Sequence, residues 1–242
     1  MAKENACARI KDCVHSFDRN MEKNLIKNEG DRILLNGRGF TKIPLDLYVG
    51  QNARNNLSSV IIIDLSWNYL EELPSSGFFY FLQNLRKLIL SMNNLRTIQS
   101  EDMKELGCLE IFEVSSNMIH SIPCSVGFLK EMRSLNASRN KIVTLPSSIG
   151  KISFLCLLDL SYNSIESIPP SIDGLRALEK LLLNNNCLHC LPDSISNLTM
   201  LYEVDVSSNN IVYLPRDFGY LCNLAILNVS NNKIQVSIYH LI

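Results

Sequence analysis

Two short stretches of the sequence carry residue types that could do chemistry. Residues 37–42, with the sequence GRGFTK, have the glycines and the lysine of a phosphate-binding loop. They lack the G-x-x-x-x-G-K-[ST] spacing and a following helix, which together let backbone amides surround a phosphate. We therefore interpret this stretch as a turn.

The second stretch, residues 187–190 with the sequence CLHC, has the spacing of half a zinc site. The second ligand pair that a four-coordinate site needs is absent nearby, so we interpret these cysteines as turn and core thiols. The four histidines lie in unrelated places, none beside a nucleophile with a third, orienting group. The sequence thus predicts no catalytic residue, no metal site and no cofactor.

The composition is that of a globular protein without a charge bias. Of the 242 residues, 46% are hydrophobic and 19% are charged, and the formal net charge is −1. This near-neutrality gives no support for nucleic acid or an anionic membrane as the main partner. No run of about 18 apolar residues is present, so we expect no membrane span.

The predicted compartment is the cytoplasm, with the nucleus as the alternative. The N-terminus contains no apolar stretch long enough for a secretory signal. The eight cysteines are scattered along the chain, which favours reduced thiols over a disulfide framework.

An internal repeat supplies the elements that would position a site. Asparagines recur at intervals of 25, 24 and then five times 23 residues, with apolar residues before them and, in most units, Leu-Pro or Ile-Pro after them. The eight asparagines are Asn68, Asn93, Asn117, Asn140, Asn163, Asn186, Asn209 and Asn232. A degenerate unit precedes them, with Arg38 in the place of the asparagine.

Each unit predicts one short strand, whose alternate leucines point into a core. Neighbouring units stack these strands as a parallel sheet, because no unit can bury its apolar face alone. The asparagine amide is both donor and acceptor, so it can satisfy turn backbone that would otherwise be buried without a partner. We therefore interpret the leucines and asparagines as scaffold.

The solvent-facing positions of the strands are the remaining candidates for a site. Between the two inward leucines, every second unit carries a carboxylate: Asp64, Glu113, Asp159 and Asp205. Strand spacing puts these acids about 10 Å apart, so that their joint field attracts cations. Just before the asparagine, four units carry Trp67, Met92, Arg139 and Tyr162, and tryptophan, tyrosine and arginine are enriched at interface hot spots. We predict these eight residues as a partner-binding site. The alternative is that an aromatic side chain packs over its strand and that the acids only solvate the sheet.

Both ends depart from the repeat. Residues 3–27 carry apolar residues at helical spacing, which predicts a helix that caps the first unit, or alternatively binds a partner or dimerises. After the last asparagine no Leu-Pro and no return segment follow, so we expect an uncapped edge that promotes self-association. The predicted division is an N-terminal amphipathic helix or cap at 1–30, a repeat domain at 31–236 and a short tail at 237–242 that lacks a C-terminal cap.

The 23-residue motif L-x-x-L-x-L-x-x-N-x-[IL]-x-x-[IL]-P-x-x-[IF]-x-x-L resembles that of the Ras-group leucine-rich-repeat family, which includes plant intracellular members. The resemblance covers about residues 31–236, although the unit of Asn93 has Gln99 in place of the proline. It implies an α/β fold: a right-handed, horseshoe-shaped solenoid of about eight to nine repeats with a parallel sheet on its concave face. It also implies a non-enzymatic role in protein–protein interaction, with small GTPases or phosphatase complexes as partners.

The predicted function is an intracellular interaction scaffold that binds a partner protein on the concave face, in small-GTPase signalling. The alternative is a substrate-recognition adaptor of a ubiquitin ligase. An adaptor needs a docking box outside the repeats, and no such sequence is recognisable.

Overall fold

The computed structural model describes residues 31–43, 57–74, 78–99 and 103–235. Within these ranges, nine three-residue strands form one parallel sheet in which each strand pairs with the next along the chain. The strands are β1 (Arg32–Leu34), β2 (Ile62–Asp64), β3 (Lys87–Ile89), β4 (Ile111–Glu113), β5 (Ser134–Asn136), β6 (Leu157–Asp159), β7 (Lys180–Leu182), β8 (Glu203–Asp205) and β9 (Ile226–Asn228). The predicted solenoid with a parallel concave sheet is confirmed. The predicted helix near the N-terminus and the tail at 237–242 lie outside the described residues.

The chain returns from one strand to the next through single-turn 3-10 helices on the convex side. They are η1 (Phe79–Phe81), η2 (Cys124–Phe128), η3 (Ser147–Lys151), η4 (Pro170–Gly174), η5 (Asp193–Asn197) and η6 (Arg216–Tyr220). A proline directly precedes each of the last five, and in the first four of these it has an extended conformation. Proline holds φ near −65° and donates no hydrogen bond, so it suits the start of such a turn.

Serine hydroxyls join the convex helices to one another. Ser171 Oγ donates to the Ser147 carbonyl oxygen at 2.7 Å, and Ser148 and Ser194 repeat the contact to the preceding helix. The helices approach most closely at Gly150, where an added Cβ would lie 1.9 Å from the Ser171 carbonyl oxygen. A glycine is therefore required at this point of the stack.

One continuous core fills the space between the sheet and the convex helices, and the asparagines line one side of it. Asn163 is typical: its Nδ2 donates to the carbonyl oxygens of Ala137 and Leu160, both at 3.0 Å, and its Oδ1 accepts from the Ile142 amide at 2.9 Å. Each amide thus ties its own unit to the preceding one, as the sequence predicts.

Candidate functional site on the open face of the sheet

The face of the sheet turned away from the core, here called the open face, presents three rows of side chains. In β2 to β8 the middle residue points into the core and is 0–2% exposed, so the first and third residues point outward. The first residues form the entry row: Arg32, Ile62, Lys87, Ile111, Ser134, Leu157, Lys180, Glu203 and Ile226. The third residues form the exit row: Leu34, Asp64, Ile89, Glu113, Asn136, Asp159, Leu182, Asp205 and Asn228. In-register pairing of all nine strands keeps each row in line across the sheet.

The third row, the rim, lies three residues beyond the exit row and directly before the asparagines. The members that follow β2 to β9 are Trp67, Met92, Ser116, Arg139, Tyr162, Asn185, Ser208 and Asn231, and all eight have φ between 54° and 57°. Side chains other than glycine and asparagine rarely adopt this left-handed backbone. The backbone is held there because the rim amides continue the ladder of the sheet, as where the Tyr162 amide donates to the Asn184 carbonyl oxygen at 2.9 Å.

The structure sorts the four predicted rim residues into two neighbouring pairs. Trp67 and Met92 follow β2 and β3, and their side chains are 66% and 42% exposed. Arg139 and Tyr162 follow β5 and β6, and the Arg139 guanidinium lies 4.5 Å from the centre of the Tyr162 ring. This cation–π contact holds two hot-spot side chains in one fixed arrangement on the solvent side.

The four predicted acids all lie in the exit row, on β2, β4, β6 and β8, but three of them also have a local structural role. Asp159 Oδ1 accepts from the Ser161 amide at 2.9 Å and from Ser161 Oγ at 2.7 Å. Asp64 makes the same two bonds to Ser66, and Asp205 accepts from the Ser207 amide. The prediction missed this role, although a recurring Asp-x-Ser or Asn-x-Ser triplet signals it in the sequence.

The local bond orients each carboxylate and leaves its second oxygen on the solvent side. Oδ2 of Asp64 and of Asp159 has no hydrogen-bond partner within the part of the chain that the structure describes, whereas Oδ2 of Asp205 accepts from Asn228 Nδ2 at 3.2 Å. Two preoriented carboxylate oxygens are therefore available to cations of a partner.

We expect Asp159→Asn to leave the free energy of unfolding nearly unchanged and Asp159→Ala to lower it by about 1 kcal/mol, the contribution of a typical hydrogen bond. Asparagine keeps Oδ1 in place, as Asn136 does by accepting from the Ser138 amide and hydroxyl. Urea unfolding followed by circular dichroism measures both variants. Equal destabilisation by the two substitutions would contradict a structural role of Oδ1.

Several exposed apolar residues near these rows were missing from the predicted site. Leu34 is 52% exposed in the exit row, and Tyr69, two residues beyond Trp67, is 61% exposed. Leu34 was overlooked because its unit lacks the asparagine by which the rows were counted. Its alignment with Asp64 in the sheet identifies it.

The other residues considered for chemistry lie apart from one another. No group of three or more histidine, cysteine, aspartate or glutamate side chains within the described ranges could hold a metal ion. Cys187 and Cys190 are free and exposed. Glu110, on the flank before β4, pairs with Arg86 at 2.8 Å, and burial raises the pKa of its carboxyl although Arg86 opposes the shift. Among the described residues, no helix is long and apolar enough to cross a membrane.

Comparisons with known proteins point to one family. A family model described as leucine rich repeat matches residues 58–119, and one described as leucine-rich repeat region matches residues 124–208. No curated protein matches the sequence. Among solved structures, a leucine-rich-repeat protein of Leptospira interrogans is 26% identical with a TM-score of 0.67, and the match covers 86% of this chain and 57% of that one.

Two plant receptors are similar over a smaller share of their own length. The ectodomain of the Arabidopsis receptor kinase HAESA, in complex with an N-terminally extended IDA peptide hormone, is 30% identical with a TM-score of 0.65. The match covers 74% of this chain and 31% of that one. The plant peptide hormone receptor RGFR1, in complex with RGF2, is 27% identical with the same TM-score, over 72% of this chain and 29% of that one. The chain thus spans less than two thirds of each of the three solved chains.

Proposed function

Because the chain belongs to the leucine-rich-repeat family, we propose that it is a protein-interaction scaffold that binds a partner protein on the open face of its sheet. Binding, and not catalysis, is the activity that such a face supports, since its outward side chains form flat rows and no nucleophile is paired with a base there.

The exposed Trp67 carries this proposal. Its side chain is 66% exposed and its backbone has a φ of 57°, so neither its burial nor its conformation stabilises the isolated protein. The same rim position holds asparagine or serine in other units, which shows that the fold does not need an aromatic side chain there. Exposed aromatic side chains of this kind are enriched at protein interfaces.

The class of partner is supported by two of the similar structures, which contain receptors in complex with peptide hormones. A polypeptide is accordingly the ligand that we propose for the present chain. The resemblance to the Ras-group repeats makes small GTPases and phosphatase complexes the first partner proteins to examine.

The compartment is part of the proposal. All six cysteines within the described ranges are free, and five of them are exposed. Exposed free thiols persist in reducing compartments. We therefore place the scaffold in the cytoplasm or nucleus.

We expect the double variant Trp67→Asn/Tyr162→Asn to lose at least nine tenths of partner capture without a change in melting temperature. Loss of one hot-spot side chain typically costs about 2 kcal/mol or more of binding free energy. Asparagine already occupies the rim at 185 and 231, so the left-handed backbone is retained. The measurement is quantitative affinity purification from cells.

Tyr220→Asn is the matched control, because Tyr220 is 68% exposed on the convex helix η6. Proteins that the parent chain and the control capture, and that the double variant loses, are partners of the open face. The same set of proteins captured by all three chains would contradict binding through this face.

A further inference from the structure

The chemical character of the outward side chains alternates from strand to strand of the open face, with a period of two strands. In β1, β3 and β7 the entry-row residue is basic and the exit-row residue is apolar, whereas in β2, β4 and β6 the entry-row residue is apolar and the exit-row residue is acidic. The apolar zigzag consists of Leu34, Ile62, Ile89, Ile111, Leu157 and Leu182. The charged zigzag consists of Arg32, Asp64, Lys87, Glu113, Asp159 and Lys180. The strand β5 interrupts both with Ser134 and Asn136.

The register of the sheet sets the spacing of the apolar zigzag. Neighbouring strands lie about 4.8 Å apart and the two rows lie about 6.6 Å apart along the strands, so the zigzag returns to the same row every 9.6 Å or so. One heptad of an α-helix rises about 10.5 Å and places its two apolar positions alternately on either side of a seam. The two patterns agree to within about a tenth.

An extended segment fits less well. Its side chains change sides about every 3.3 Å, against about 4.8 Å for the zigzag, so it falls out of step within three strands. The face therefore favours a helix that lies across the strands.

We propose that an amphipathic α-helix of the partner protein lies across β1 to β7 with its apolar seam on the apolar zigzag. This inference rests on the proposed function, since the helix would be part of the protein that the open face binds. Six steps between seven strands span about 29 Å, which corresponds to about 19 residues of helix. Asn136, on the fifth of the seven strands, faces a polar residue of the helix, as a polar position in a heptad seam does when it sets the register.

The charged zigzag defines the charge pattern of this helix. The basic residues lie in the entry row and the acidic residues in the exit row, on opposite sides of the seam. The helix is therefore acidic on the flank over Lys87 and basic on the flank over Asp64 and Asp159, whereas Arg32 contributes less because its Nε and Nη2 are buried. At the far end Lys180 pairs with Glu203 at 2.9 Å, so this lysine is shared between the sheet and the helix.

Burial distinguishes the β1 to β3 end of the sheet. Leu34 is 52% exposed, whereas Ile111 is only 7% exposed and has little surface left to cover. Trp67 and Met92 stand on the rim beside β2 and β3, next to the basic flank of the helix. The strongest contact is therefore expected over β1 to β3, where Ile89 is the apolar residue of β3.

The test uses synthetic helices of three heptads as probes and Trp67 as the reporter. Trp67 is the only tryptophan of the chain, so a tryptophan-free peptide that covers the rim shifts its emission to shorter wavelength and protects it from acrylamide. The matched peptide has leucine along the seam except for one asparagine at the position that faces Asn136, glutamate on one flank and lysine on the other. The control peptide has the same composition with both charges mixed on each flank. Both are used below the concentration at which they self-associate in sedimentation.

The variant Ile89→Asn tests the seam without disturbing the fold. It converts Ile89-Leu90-Ser91 into the Asn-x-Ser triplet that Asn136 already forms with Ser138. We expect the matched peptide to bind the parent chain saturably, to bind Ile89→Asn roughly tenfold or more weakly, in line with the loss of one buried isoleucine, and to bind Tyr220→Asn unchanged. We expect the control peptide to bind several times more weakly than the matched one.

The helix proposal is overturned if the matched peptide fails to bind, or binds Ile89→Asn as tightly as the parent chain. Capture of the cellular partner separates this failure from that of the proposed function. A partner lost by Trp67→Asn/Tyr162→Asn and fully retained by Ile89→Asn would leave binding to the open face intact and reject the helix. A partner retained by both variants would reject both proposals.

Discussion

Replacing Gly150 with alanine is expected to lower the free energy of unfolding by about 3 kcal/mol or more, the upper range for overpacked interiors. The new methyl group would lie 1.9 Å from the Ser171 carbonyl oxygen and 2.9 Å from the carbonyl carbon. These are backbone atoms of η4, so relief requires the next helix to move away and to strain the Ser171–Ser147 hydrogen bond. Urea unfolding monitored by circular dichroism measures the loss.

The last convex helix provides the matched control, Gly219→Ala. A Cβ at Gly219 meets nothing within 4 Å, so its substitution should change the free energy of unfolding by less than about 0.5 kcal/mol. If Gly150→Ala were as stable as Gly219→Ala, the close stacking of η3 on η4 would be incorrect.

The variant Asn163→Ala is expected to cost about 3 kcal/mol of unfolding free energy. It leaves the Ile142 amide without its acceptor and removes the donor to the Ala137 and Leu160 carbonyl oxygens. A buried polar group without a partner costs about 1–3 kcal/mol, and several groups are affected together. Thermal and urea unfolding both report the change.

At the end of the ladder, Asn232→Ala should cost less, because its bond to the Ser230 carbonyl oxygen is exposed, whereas the equivalent bond of Asn163 to Ser161 is partly buried. Water can replace part of the hydrogen bonding that the Asn232 side chain supplied there.

Peptide binding by the folded fraction of Asn163→Ala should match that of the parent chain, since Asn163 belongs to the scaffold. Weaker binding by the folded protein would contradict that separation.

The 23-residue period was sufficient to predict the strands, the asparagine ladder and the rows of outward side chains. These features repeat within every unit, so one register defines them all. The assignment of Asp64, Glu113, Asp159 and Asp205 to alternate strands also followed from the position of each residue in its repeat unit. Whether the eight predicted residues bind a partner remains a prediction.

Other features of the open face depend on local hydrogen bonds, on backbone conformation or on pairing between strands. The position of a residue within one repeat unit does not reveal them. The serine that follows each of these aspartates was not singled out, because its bond joins an aspartate side chain to the backbone two residues on. The left-handed backbone at Trp67 was not predicted, since no glycine marks it. Leu34 was missed because the first unit lacks its asparagine. The alternation of the two zigzags became visible only when the entry and exit rows were placed side by side across the pairing strands.

The two-strand period of the open face restricts how such a protein can lengthen. Tandem duplication of one 23-residue unit would preserve the core, the asparagine ladder and the convex stack, because these depend only on nearest neighbours. It would also place two strands of the same pattern side by side, so the alternation of the later strands would be out of phase with that of the earlier ones. A continuous apolar seam survives only when units are gained or lost in pairs. For this surface, the segment that must be gained or lost is therefore 46 residues long, whereas 23 residues suffice for the scaffold.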